Sequence, residues 1–168
     1  SEPLWSHHTD SPVLSVDISS DGQYVVAGSE DNKVYFFNVN TTNPSEYVVS
    51  SFNIQDDVTV VSISSNGDYY MAGSSNNKVY FFEKDTSSPL WHYETGGMIT
   101  SVSISADGSY IVVGSYDQYI RLFEKESSTP YWFYYTESTV SSVSISEDSN
   151  YILAGSEDEY LYFFSNKN

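Results

Sequence analysis

The stretch SEDNKVYFF, Ser29–Phe37, returns as SSNNKVYFF (Ser74–Phe82), SYDQYIRLF (Ser115–Phe123) and SEDEYLYFF (Ser156–Phe164). A catalytic centre needs several different groups in one place, whereas a fourfold string supplies one group in four places, so the repeat reads first as architecture. Working outward, the glycine ahead of each string falls at Gly28, Gly73, Gly114 and Gly155, in steps of 45, 41 and 41 residues. The prolines Pro3, Pro44, Pro89 and Pro130 step by 41, 45 and 41. A period of about 41 residues lies in the range of four-stranded propeller blades and outside those of tetratricopeptide and ankyrin units. The units run approximately 3–43, 44–88, 89–129 and 130–168, within a single domain 1–168.

One unit divides into four short runs: PLWSHHT (Pro3–Thr9), VLSVDIS (Val13–Ser19), QYVVAGS (Gln23–Ser29) and KVYFFN (Lys33–Asn38). None keeps a helical period over ten or so positions, and turn residues separate them: Asp21-Gly22, matched by Asn66-Gly67 and Asp107-Gly108, with Asp148-Ser149-Asn150 as a departure. The pattern predicts an all-β propeller of four repeats, each a four-stranded antiparallel blade, closed by the N-terminal outer strand. Each blade buries two faces against neighbours, so equivalent positions meet equivalent surroundings and accept the same residues. Val16/Val61/Val102/Val143 and Ile18/Ile63/Ile104/Ile145 then form inner-strand core, Tyr24/Tyr69/Tyr110/Tyr151 second-strand anchors, and the Phe pairs third-strand core.

Composition agrees. The apolar share comes largely from 16 Tyr, 9 Phe and β-branched residues, which suit a pleated surface. No apolar window of 18 residues and no basic-then-apolar leader occurs, so neither a spanning helix nor a signal peptide is expected. With no cysteine, disulfides, zinc knuckles and thiol nucleophiles are excluded. A net charge of −17 repels phosphate backbones and anionic lipid, so nucleic acid and membrane are not expected partners.

SVDISSDGQYVVAGSEDNKVYFF, Ser15–Phe37, resembles the WD40 core "hydrophobic-Ser-x-DG-x-hydrophobic-x-x-GS-x-D", and the likeness spans essentially the whole chain. No Gly-His precedes the second strand, and Phe36-Phe37 or Phe163-Phe164 stands where that family places Trp-Asp. KVYFFEKDTSSPLWHYETG, Lys78–Gly96, is similar to the tryptophan-docking repeat of quinoprotein-like propellers, with Trp5, Trp91 and Trp132 in the Trp column and Ser87 in place of the turn glycine. Either resemblance implies a β-propeller, and blades of this type usually assemble in rings of about seven or eight. The second unit carries four extra residues between Pro44 and Val58, which leaves its Trp place to Glu46 or Tyr47.

Chemistry is sparse. His7 and His8 are consecutive on an expected strand and point to opposite faces, and His92 does not align with either, so no metal site is expected. Carboxylate pairs such as Glu30-Asp31, Asp56-Asp57 and Glu157-Asp158 sit in hairpin turns, where exposure removes the desolvation that acid/base work needs. The calcium loop, nucleophile elbow, phosphate loop and dinucleotide fingerprint are missing. Asn40-Thr41-Thr42 is a glycosylation sequon. The expectation is a non-enzymatic scaffold without cofactor; the alternative is all or part of a quinoprotein-like or hydrolytic propeller enzyme.

If the outermost strand of one blade opens the next unit, the loops joining fourth to first and second to third strands share one face. That face would gather 11 of the 23 carboxylates, whereas the opposite face mixes acids with Lys84, Lys125 and Lys167. Glu30, Asp31, Asp56, Asp57, Asp117, Glu157 and Asp158 are therefore the candidate contacts for an unidentified protein partner. The unpaired first run and the chain's final third strand further predict a homodimer that completes an eight-bladed ring, with Pro3–Thr9 of each chain beside Tyr160–Phe164 of the other.

Overall fold

The computed structural model describes residues 2–41 and 47–167, so Thr42 of the sequon, Pro44 and Glu46 lie outside the described residues. Among them all regular structure is strand, arranged as four antiparallel meanders. The first blade is β1 (Val13–Ile18), β2 (Tyr24–Ser29), β3 (Lys33–Asn38) and β4 (Val48–Asn53). The second is β5 (Val58–Ile63), β6 (Tyr69–Ser74), β7 (Lys78–Glu83) and β8 (Trp91–Glu94). The third is β9 (Ile99–Ile104), β10 (Tyr110–Ser115), β11 (Tyr119–Glu124) and β12 (Trp132–Tyr135). The fourth has three strands, β13 (Val140–Ile145), β14 (Tyr151–Ser156) and β15 (Leu161–Ser165). The expected all-β propeller of repeated blades is what forms, the unit's leading run serving as the outermost strand of the blade before it.

Alternation gives each strand two faces, and successive blades share a core between them. Val26, Val34 and Phe36 of the first blade meet Val58, Val61 and Tyr70 of the second. Met71, Val79 and Phe81 meet Ile99, Val102 and Phe123 at the next seam, and Val112, Ile120 and Leu122 meet Val140, Val143 and Ile152 at the third. The glycine column exists for close approach here. A Cβ on Gly28, Gly73 or Gly114 would lie 2.5, 2.4 or 2.7 Å from a methyl of Val58, Ile99 or Val140. Side chains of the first strands also cross the seams. Ser15 and Asp17 accept from the N–H groups of Val61 and Ile63 at 3.1 and 2.9 Å, and Ser101 and Ser103 do the same for Val143 and Ile145.

The inner-strand columns are buried except at the leading blade, where Val16 is 66% and Ile18 58% exposed because no blade stands in front of them. Two sequence expectations need correction. Register puts Ser50 opposite Phe36, as Trp91 stands opposite Phe81, so the missing Trp place falls to Ser50 and not to Glu46 or Tyr47. Phe52 covers Phe82 there, at 5.6 Å between rings, and Tyr47 turns to Trp5. Pro3–Thr9 is not a paired strand and does not fill the edge of β15. It crosses the first blade instead, with Trp5 at 5.2 Å from Phe37 and His7 at 5.2 Å from Tyr35, because those rings offer the apolar surface that an outer strand of a preceding blade would cover.

Candidate functional site

The loops at one end of the blades come together in pairs, as the sequence implied. Each turn between second and third strands carries a residue in the left-handed region, Asn32, Asn77, Gln118 and Glu159, with φ of 66 to 73°. Asn, Gln and Glu tolerate that conformation better than branched residues do. The carbonyls of Asn32, Asn77 and Gln118 accept N–H bonds from the end of the fourth strand at Ile54, Thr95 and Thr136.

Each turn holds an acid or amide two residues after a buried or half-buried serine: Asp31, Asn76, Asp117 and Asp158. In the first turn, Asp31 accepts from the N–H of Lys33 at 3.0 Å, from the Tyr35 hydroxyl at 2.6 Å, and from the N–H of Asp10 in the incoming segment at 3.2 Å. Asp158 repeats this with Tyr160 N–H, Tyr162 hydroxyl and Glu137 N–H at 3.0, 2.8 and 3.0 Å. In the third turn Arg121 replaces the tyrosine and binds both oxygens of Asp117 at 2.9 and 2.7 Å, while Gly96 N–H donates at 2.8 Å. A planar guanidinium matches the carboxylate fork and lies over Tyr119, 4.8 Å from its centroid, which lets the cation be buried.

These carboxylates are structural staples. The expectation that hairpin-turn acids are exposed fails for Asp31 and Asp117, whose side chains are only 4% and 9% exposed. Burial pushes both carboxyls up, but the donors aimed at them, with Lys33 and Arg121 adding charge, hold them below the ordinary value. Asp158 is likewise held down against desolvation, and its bond drives the Tyr162 phenol up to about 12. Asp56 accepts from the Ser75 hydroxyl at 3.0 Å, and Asp56 and Asp57 are half-buried. Glu30 and Glu157 remain exposed, accompanied by Asp10, Glu94, Glu137 and Glu159.

Two features escaped the sequence reading. Tyr116 and Tyr160 stand 51% and 65% exposed among these acids. Arg121 was legible as the one departure from a column otherwise filled by Tyr35, Tyr80 and Tyr162. Among the described residues no three His, Cys, Asp or Glu side chains gather as metal ligands, and His7 and His92 lie against Tyr35 and Tyr80. A depression of about 500 Å³ lies on the opposite face between Asp107, Tyr110, Lys125 and Asp148. It is open and shares no residue with the acidic loops.

A search among curated proteins returned no match to the chain. The family model for the WD domain, G-beta repeat, matches at residues 1–38, 87–124 and 129–165, which together cover more than half of the chain and leave the second, longer unit unmatched. Three repeat matches in register with four blades show that the chain belongs to the WD40 repeat family of β-propellers.

Proposed function

We propose that this protein is a non-enzymatic interaction scaffold that takes a basic, arginine-bearing protein segment on the acidic loop face. One observation carries the reading: the loops spend one set of carboxylates on their own shape and turn a second set outward. Asp31, Asp117 and Asp158 are bonded within the blades, whereas Glu30, Glu137, Glu157 and Glu159 are exposed, as are Tyr116 and Tyr160 on the same set of loops. Rigid loops keep the ordering cost of binding low, exposed carboxylates attract cations, and tyrosine faces accept guanidinium groups. The membership in a repeat family of interaction scaffolds supports the same class of function.

The test uses a synthetic peptide of about nine residues with three arginines, titrated by calorimetry against the protein and a Glu30→Gln/Glu137→Gln/Glu157→Gln variant. Saturable binding that weakens at least tenfold in the variant and falls with salt is expected. Binding that is absent, or equal in both proteins, refutes the acidic face. Asp31, Asp117 and Asp158 stay unchanged in the variant, since their loss would disturb the loops themselves.

A further inference from the structure

The two ends of the blade series are open, and they are the two halves of a seam that the chain already makes three times. On the leading face Val16 and Ile18 are exposed, although their equivalents Val61 and Ile63 are 5% and 6% exposed. On the trailing face Leu161 and Phe163 are 71% and 66% exposed, although Val79 and Phe81 in the same places are fully buried. We propose that a second copy of this chain covers both faces, giving a two-fold symmetric ring of eight blades.

The occupant is specified by vacancies that match part for part. Gly28, Gly73 and Gly114 each face a branched side chain of the following blade, but a Cβ on Gly155 would meet only the Ser141 hydroxyl, at 3.7 Å. The side chain missing from that position is the equivalent of Val58 and Ile99, which is Val13, and Val13 is exposed. A second lock runs the other way. Tyr24 and Tyr69 press on the turn glycines of the next blade, Gly67 and Gly108, where a Cβ would lie 2.3 and 2.4 Å from the ring. Gly22 has no such ring against it, only Ile18 at 4.0 Å, while Tyr151 at the trailing face is exposed. An unrelated protein would match neither lock.

The incoming segment supplies a fourth strand for β13–β15, which form a three-stranded sheet among the described residues. Asp10 N–H reaches Asp31 as Gly96 and Glu137 reach Asp117 and Asp158, and Ser29 donates to the Ser11 carbonyl as Ser115 and Ser156 donate to Gly97 and Ser138. Residues 9–11 therefore stand in register with 95–97 and 136–138. Trp5 occupies on Phe37 the place that Trp91 takes on Phe123 and Trp132 on Phe164, with ring separations of 5.2, 5.5 and 5.2 Å. The segment already lies as the outermost strand of a preceding blade whose other three strands are β13–β15 of the second copy. Carrying over Phe81 opposite Trp91 and Lys78 opposite Glu94, the register sets Phe163 against Trp5 and Tyr160 against His8 of the other copy. Thr9, which bonds the Ser11 carbonyl, then donates as Thr95 and Thr136 do to a turn carbonyl, here that of Glu159. Two identical head-to-tail seams close the ring and cover the edge of β15 in each copy.

The experiment is multi-angle light scattering of the 168-residue chain over a wide concentration range, with two variants. Wild type is expected at twice 18.9 kDa, and Gly155→Val at 18.9 kDa with unchanged circular dichroism, since that Cβ has room in one copy and none in the ring. A His8→Cys/Tyr160→Cys chain, otherwise free of cysteine, is expected to form a disulfide between copies that doubles the mass on a non-reducing gel. Wild type at 18.9 kDa throughout, a mass that keeps growing with concentration, or a bridge within one chain overturns the ring.

Discussion

At the residue scale the seams are held by atoms that are not there. Gly28, Gly73 and Gly114 lie in strands without positive φ, so their need is for space alone. Gly73→Ala should cost about 1–3 kcal/mol by overpacking against Ile99; urea melts beside wild type check this, and an unchanged midpoint would refute it. Arg121 makes a second prediction. Asp117→Asn leaves a buried guanidinium short of its counter-charge and should cost about 3 kcal/mol, whereas Arg121→Tyr restores the pair found at Tyr35–Asp31 and Tyr162–Asp158 and should leave the melting temperature nearly unchanged. A larger loss for Arg121→Tyr than for Asp117→Asn would show that the cation, not the filled place, stabilises the third turn.

At the scale of elements, the turns between first and second strands carry much of the pH dependence. Asp21, Asp107 and Asp148 accept from Ser19, Ser105 and Ser146 and from the backbone two residues on, and Asp148 is pulled down to about 2 by Ser146 and Asn150. Asp21, Asp31, Asp107, Asp117 and Asp158 are lowered too. A carboxyl depressed in the fold stabilises it above the ordinary value of 3.8, and that stability is lost as pH falls from there through the folded value, toward about 2 for Asp148. Thermal melts should therefore drop steeply between pH 4 and 2; a flat profile would refute the role of these bonds. In the fourth of these turns Ser149 holds φ of 60° where Gly22, Gly67 and Gly108 stand elsewhere, so Ser149→Gly should stabilise by about 1 kcal/mol, read from the same melts. The strands themselves were legible because period-two alternation and glycine punctuation recur four times. Pro3–Thr9 was not, since an outer strand reads alike whether or not its partner edge is present. Ser50 was hidden by the insertion ahead of it, which shifts the register without marking where the shift is absorbed. The staples Asp31 and Asp117 looked exposed because a turn position gives no hint of the tyrosine or arginine four residues on that draws the carboxylate inward.

For the whole molecule, the six cations cannot balance the 23 acids, and five of them already sit in ion pairs at Lys33, Lys78, Lys84, Arg121 and Lys125. Self-repulsion then opposes both folding and association of copies, and 1 M salt relieves it by screening exposed charges more than about 3 Å apart. The melting temperature should rise between low salt and about 1 M sodium chloride; a steady fall would show that the pairs matter more than the excess charge. The offset between unit and blade, in which the run that opens each unit is the last strand of the blade before it, bears on how such a chain changes length. A duplicated or excised internal unit leaves the four-stranded blades around it complete, because the strand that closes a blade travels with its successor. Growth and loss by whole units thus keep strands and blades matched, while a break of any other length strands part of a blade.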